Sequence, residues 1–209
     1  MEGVADVSCN NANYGAFTMV LKQDGTLWTF GADQTGQLGD GVTDLSNRFW
    51  KNPDGGGFGR QHFAWEPRQI LDNVVSIYAG DRMGTAIRAD GTVWTWGWNK
   101  EGRLANGSAY NAFAEDDKHV PCQTFPMQVA DNGAAVREGY GHHTVILKKD
   151  GTVWAAGHGY SDVPVQLNIS GVSAIAASEF DTYALKSDGT LWRFKGNTYD
   201  PDQVMDFSH

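Results

Sequence analysis

The side chains best suited to chemistry are few. His142 and His143 are adjacent, His158 follows them, and His119 stands three residues from Cys122. Neighbouring side chains on a strand point to opposite faces, so His142 and His143 make a poor two-ligand metal site. His119 and Cys122 supply two ligands, short of the four a structural zinc takes. No Gly-x-Ser-x-Gly or His-Glu-x-x-His occurs, so no nucleophile–base set can be picked out. Gly55-Gly56-Gly57 lacks the following Lys-Ser/Thr and a helix, which disfavours phosphate binding. The sequence calls for no enzyme activity, metal or cofactor.

What recurs instead is one phrase. Asp24-Gly25-Thr26-Leu27-Trp28 returns at Asp90–Trp94, Asp150–Trp154 and Asp188–Trp192, each time after an aliphatic-basic pair: Leu21-Lys22, Ile87-Arg88, Leu147-Lys148 and Leu185-Lys186. Asp-Gly between apolar runs predicts a tight β-hairpin, because glycine accepts φ > 0 at little cost. The tryptophan at a fixed offset is expected to pack between neighbouring sheets. One active site does not need four copies, whereas four sheets need four hairpins, so the phrase reads as architecture.

The chain is all-β by this reading, a single repeat domain over 1–209 with repeats near 4–72, 73–131, 132–169 and 170–209. The copies are unevenly spaced, which a unit of under about 40 residues explains if 42–66 and 108–124 are insertions. The formal charge of −9, from 16 basic and 25 acidic residues, argues against nucleic-acid binding, which needs a basic face. No stretch approaches the roughly 20 apolar residues of a membrane helix, so no membrane insertion is expected. Met1–Asp6 has neither the basic end nor the apolar run of a signal peptide. An extracellular or cell-surface setting is nonetheless slightly favoured over the cytoplasm. Cys9 and Cys122 are expected as two separate thiols.

The order Val-x-x-Ile-x-Ala-Gly, His-Thr-x-x-Leu-Lys, Asp-Gly-Thr-Val-Trp-x-x-Gly, Gly-Gln-Leu-Gly and Pro-x-Gln-Val resembles the regulator-of-chromosome-condensation (RCC1) repeat, in its bacterial form. Trp28, Gly31, Gly36, Gln37, Leu38 and Gly39 carry the resemblance in copy one, and Ala79, Gly80, Trp94, Gly97, Asn99, Gly102 and Leu104 in copy two. His143 and Thr144 match in copy three, where the histidine would be structural. The resemblance implies a β-propeller, usually of seven blades. Four repeats then imply four blades or an incomplete arc of a larger ring, and the arc is favoured. An arc leaves strand edges open to self-association. Val4–Ser8 could complete the last blade if the ring closes, or equally be the tail of a missing upstream repeat.

The resemblance also implies a protein-binding role, because family members recognise proteins through propeller faces. The partner stays unnamed. Two candidate surfaces follow. One is the pair of aromatic insertions, with Phe49, Trp50, Phe63 and Trp65 in the first and Tyr110 and Phe113 in the second. The other is the face made by the loops before each incoming strand, with Tyr14, Asp81, Arg82, His142, Glu179, Phe180 and Asp181. Tyr14, Trp50, Trp65, Arg82, Trp98, His142 and Phe180 are the chosen binding residues. Carbohydrate binding, with exposed Trp rings stacking on sugars, and a structural role in a larger surface protein are the alternatives.

Overall fold

The computed structural model describes residues 1–10, 16–42, 63–108, 122–140, 142–196 and 198–206. They form four antiparallel sheets of four strands, each running in sequence order. Blade 1 holds β1 (Val4–Cys9), β2 (Phe17–Lys22), β3 (Leu27–Ala32) and β4 (Phe63–Leu71). Blade 2 holds β5 (Val74–Ala79), β6 (Met83–Arg88), β7 (Val93–Trp98) and β8 (Cys122–Ala130). Blade 3 holds β9 (Gly133–Gly139), β10 (His143–Lys148), β11 (Val153–Gly157) and β12 (Val165–Gln166). Blade 4 holds β13 (Val172–Ala177), β14 (Thr182–Lys186), β15 (Thr190–Phe194) and β16 (Asp202–Asp206). Two boundaries differ from the sequence reading. Phe63–Glu66 and Cys122–Thr124 belong to β4 and β8, not to insertions, because their backbone pairs with β3 and β7. Val4–Cys9 pairs with β2 in blade 1 and does not complete the last blade, which has four strands of its own. Cys9 and Cys122 are free, exposed thiols.

The repeated phrase closes a three-residue loop. Gly25 N–H donates to the Lys22 carbonyl (2.9 Å) and Lys22 N–H to the Thr26 carbonyl (2.9 Å), a type I turn followed by a left-handed glycine at φ 81°. The same pair of bonds closes 88–92 and 148–152. Asp24 Oδ1 accepts the N–H and the hydroxyl of Thr26, and Trp28 Nε1 donates to that hydroxyl at 2.9 Å. All four copies repeat this chain of bonds. The threonine's hydroxyl and then its N–H hold Asp24, Asp150 and Asp188 below the usual carboxylate range. The preceding basic residue lies over the indole, Arg88 4.4 Å from the Trp94 ring and Lys148 4.1 Å from that of Trp154.

Each blade is registered on the one before it by two hydrogen bonds around a left-handed residue. Asn73, Asn132 and Gly171 have φ of 55°, 61° and 71°. The next N–H, from Val74, Gly133 or Val172, donates to the hairpin glycine of the preceding blade: Gly25 (2.9 Å), Gly91 (2.8 Å) or Gly151 (3.0 Å). The left-handed residue's own carbonyl accepts from the hairpin of its own blade, at Ala89, Lys149 or Ser187. Apolar side chains fill the space between. Leu21 and Leu27 of blade 1 meet Val74 and Ile77 of blade 2; Ile87 and Val93 meet Val136 and Ile146; Leu147 and Val153 meet Val172 and Ile175. Trp94, Trp154 and Trp192 pack on these clusters, between neighbouring sheets as expected.

The glycine of Trp-x-x-Gly has a separate cause. A Cβ at Gly31, Gly97 or Gly157 would sit 2.7, 2.4 or 2.6 Å from the carbonyl oxygen of Ala16, Arg82 or His142, and φ there is 103–114°. The sheets can pair to their ends only because these residues lack a side chain.

Thr152→Val leaves Asp150 and Trp154 Nε1 without the hydroxyl that joins them, and is expected to cost about 1–2 kcal/mol in urea unfolding. Lys148→Ala removes only the half-buried cation over the ring and is expected to cost under about 1 kcal/mol. Equal losses would count against the hydroxyl as the centre of the staple.

Candidate functional site

The up-and-down order of the strands sorts the loops. All four Asp-Gly hairpins and all blade-to-blade turns lie at one end of the sheets. The other end receives the loop after every first strand and every third strand. Of the candidate binding residues, Arg82, His142 and Phe180 lie in loops at that second face. Tyr14, Phe49, Trp50, Tyr110 and Phe113 lie outside the described residues.

The floor of this face is a pair of buried charges. The Gly36-Gln37-Leu38-Gly39 turn is held by Thr29, whose hydroxyl donates to the Leu38 carbonyl (2.6 Å), and by Asp33, which accepts the Leu38 N–H (3.1 Å). Blade 2 grips it through Trp96 Nε1, which donates to the Gln37 carbonyl at 2.9 Å. In blade 2, Thr95 and Asn99 hold Leu104 in the same way, and Thr144 of blade 3 donates to the Arg103 carbonyl at 2.7 Å. Arg103 thus stands where blade 1 has Gln37. Its side chain is fully buried, and Nη1 lies 3.1 Å from Glu138 Oε1 of β9, itself 2% exposed. The remaining Arg103 donors reach the carbonyls of Trp98 and Asp81, while Glu138 Oε2 accepts the Asp81 N–H. Burial weakens Arg103's hold on its proton, and Glu138 and then Asp81 oppose that. The loops of blades 2 and 3 are locked together by this network.

Above the floor runs a track of aromatic and charged side chains. The Trp98 ring has Arg82 at 4.8 Å and Arg103 at 4.6 Å. Glu101 Oε2 lies 2.9 Å from His158 Nδ1 and 3.6 Å from His142 Nδ1. His142 in turn lies 5.1 Å from the Phe180 ring of blade 4. Of the residues chosen from sequence, Arg82, Trp98, His142 and Phe180 fall on this track. Trp65 is apart, on β4, 68% exposed with its ring 4.2 Å from Phe63. Asp181 is spent internally on Arg193 and the Gly196 N–H. Sequence reading missed Glu101, Glu138 and Tyr140. Glu138 could have been noticed as the lone acid of β9. Tyr140, 69% exposed between β9 and β10, had no signal beyond its place in a loop.

His142 and His143 do diverge. His143 is buried against Thr182 Oγ1 (3.1 Å) and the Tyr160 ring. Burial first, and then the neighbouring His142, bring it down to about 4. Among the described residues, no group of three His, Cys, Asp or Glu side chains is arranged to hold a metal. A groove of about 640 Å³ opens elsewhere, between β12 and β15, lined by Gln166, Asn168, Lys186 and Trp192. It exists where β12 is two residues long and β4 and β8 are nine, and it touches none of the chosen residues.

Four up-and-down sheets, each registered on its predecessor by the same turn, define a β-propeller repeat protein. The chain belongs to the regulator of chromosome condensation (RCC1) repeat family: the family model matches residues 24–87 and 90–146, more than half of the chain, and a second model of the repeat matches 74–103. It is 26% identical over 176 residues to the RCC1 domain-containing protein RUG3 of Arabidopsis thaliana, covering 82% of this chain and 32% of that protein. Among solved structures it superposes on human WBSCR16 with a TM-score of 0.71 at 17% identity, covering 96% of this chain and 52% of the other. Yeast RCC1 (Prp20), solved bound to Kap60, superposes with a TM-score of 0.69 at 18% identity, covering 98% and 49%. The chain therefore spans about a third of RUG3 and about half of the solved neighbours. These relatives are plant, human and yeast proteins and lend no support to the bacterial form of the repeat.

Glu138→Ala leaves the Arg103 charge buried and alone, and a loss of about 3–5 kcal/mol in chemical denaturation is expected, whereas Arg103→Met with Glu138→Leu should recover most of it. His143 binds its proton more weakly folded than unfolded, so its linkage term is absent above pH 6.5 and destabilises as pH falls toward about 4. From pH 6.5 to 5 this amounts to about 1.5 kcal/mol. A His143→Asn variant should show that much less pH dependence in its urea midpoint; an unchanged slope would remove His143 as the source.

Proposed function

We propose that this chain is a non-catalytic binding module whose loop face engages a protein partner. The supporting observation is the continuity of the track from Arg82 and Trp98 through Glu101, His142 and His158 to Phe180, across three blades and above the buried Arg103–Glu138 pair. Exposed Trp65, Tyr140 and Phe180 supply aromatic area of the kind that dominates protein interfaces, with Arg82 beside Trp98. The pre-locked floor lowers the ordering cost of binding. The opposite end offers little of this kind, because its Asp, Thr and Trp groups are engaged with one another. The yeast neighbour was solved with Kap60 bound, which is consistent with a protein-binding role in a protein of this fold.

The test is affinity capture from native extract with the wild-type chain and with a Trp65→Ala/Tyr140→Ala/Phe180→Ala variant, thermal melting being the control for folding. The variant is expected to retain its melting temperature and to lose about tenfold or more of the captured protein. Undiminished capture, or binding on a glycan array with no protein captured, would overturn the assignment.

A further inference from the structure

The junction that joins the blades has two halves, and one half is exposed at each end of the array. On the receiving side, Leu21, Ile87 and Leu147 are 4–6% exposed because the next blade covers them, whereas Leu185, at the same place in blade 4, is 37% exposed. On the entering side, Val74 and Val172 are at most 5% exposed and Ile77, Val136 and Ile175 at most 8%. Val4 and Val7 hold those places in blade 1 and are 39% and 53% exposed. The equivalence is one of register. Val4 pairs with Lys22, Val74 with Arg88 and Val172 with Lys186, and a bulge follows each pair.

The polar half of the junction is prepared in the same way. Gly3 has φ of 70° and its carbonyl accepts the Gln23 N–H at 2.8 Å, as Asn73, Asn132 and Gly171 do for their own hairpins. Val4 N–H therefore stands where Val74, Gly133 and Val172 donate to a preceding blade. The carbonyl of Gly189, whose φ of 87° matches Gly91, stands where Gly25, Gly91 and Gly151 accept.

We propose that a second copy of this chain docks head-to-tail, the Leu185 face of one copy against the Val4 and Val7 face of the other, with Gly189 accepting from Val4. A second copy is the occupant favoured because this chain carries both halves, and because its own three junctions show that such halves fit. The contact is heterologous, and two copies related by a twofold axis satisfy it twice. It buries sheet faces rather than extending strand edges, and it does not rest on the loop-face assignment.

Sedimentation velocity and light scattering over a wide concentration range provide the test. The wild-type chain is expected to reach the mass of two copies. Val7→Glu and Leu185→Glu, each placing a charge at an apolar contact, are each expected to weaken the pairing by about 100-fold with the circular dichroism spectrum retained. Mixing the two variants leaves one intact junction, Leu185 of the first against Val7 of the second, and should restore a one-to-one complex. A wild-type chain that stays monomeric, a pair indifferent to both substitutions, or a mixture that fails to associate would each overturn the proposal.

Discussion

The structure depends on a single backbone event repeated at every blade boundary. A residue turns left-handed, its following N–H reaches the hairpin glycine of the blade before, and its carbonyl takes an N–H from the hairpin of its own blade. Two short bonds between main-chain atoms leave almost no freedom to slide or rotate, so the apolar side chains beside them meet in one register. Asn73, Asn132 and Gly171 are residue types that accept this conformation at low cost. The burial of Leu, Ile and Val in each junction, about 1.5–3 kcal/mol for each side chain fully covered, then makes the array cohere.

That arrangement divides the molecule into an end that is structurally spent and an end that is free to vary. At the hairpin end every recurring polar group has a local partner: aspartate to threonine, threonine to tryptophan, and lysine or arginine over the indole. At the loop end the backbone returns only after a turn of variable length, and the side chains there answer to one another rather than to the repeat. Arg103 in the place of Gln37 illustrates the difference. A buried charge was introduced into a turn that elsewhere carries a neutral amide, and Glu138 on the next blade compensates it. Such pairs contribute little net stability compared with apolar packing, but they fix one relative placement of the loops they join.

The recurring phrase made the all-β class, the hairpins and the blade count legible in the sequence, because those features depend on local residue order. Asp-Gly forces a turn, Thr-x-Trp prefers a strand, and the repetition of both marks four equivalent units. The clash that requires Gly31, Gly97 and Gly157 was visible as a pattern, though its cause, the carbonyl just ahead of the neighbouring strand, was not. His143 was read as structural through the family resemblance, and its burial against Thr182 agrees.

Tertiary structure alone decided which residues share a surface. Glu101, His142, His158 and Phe180 come from four loops on three blades, and no sequence spacing links them. Strand order settles it: loops after odd strands fall at one end regardless of their length. The same holds for Val4–Cys9, whose sequence suited either the first blade or the last until pairing with β2 assigned it. Local order sets which elements form, because their energies are short-ranged. Which elements meet depends on packing between blades, which is a property of the assembled array.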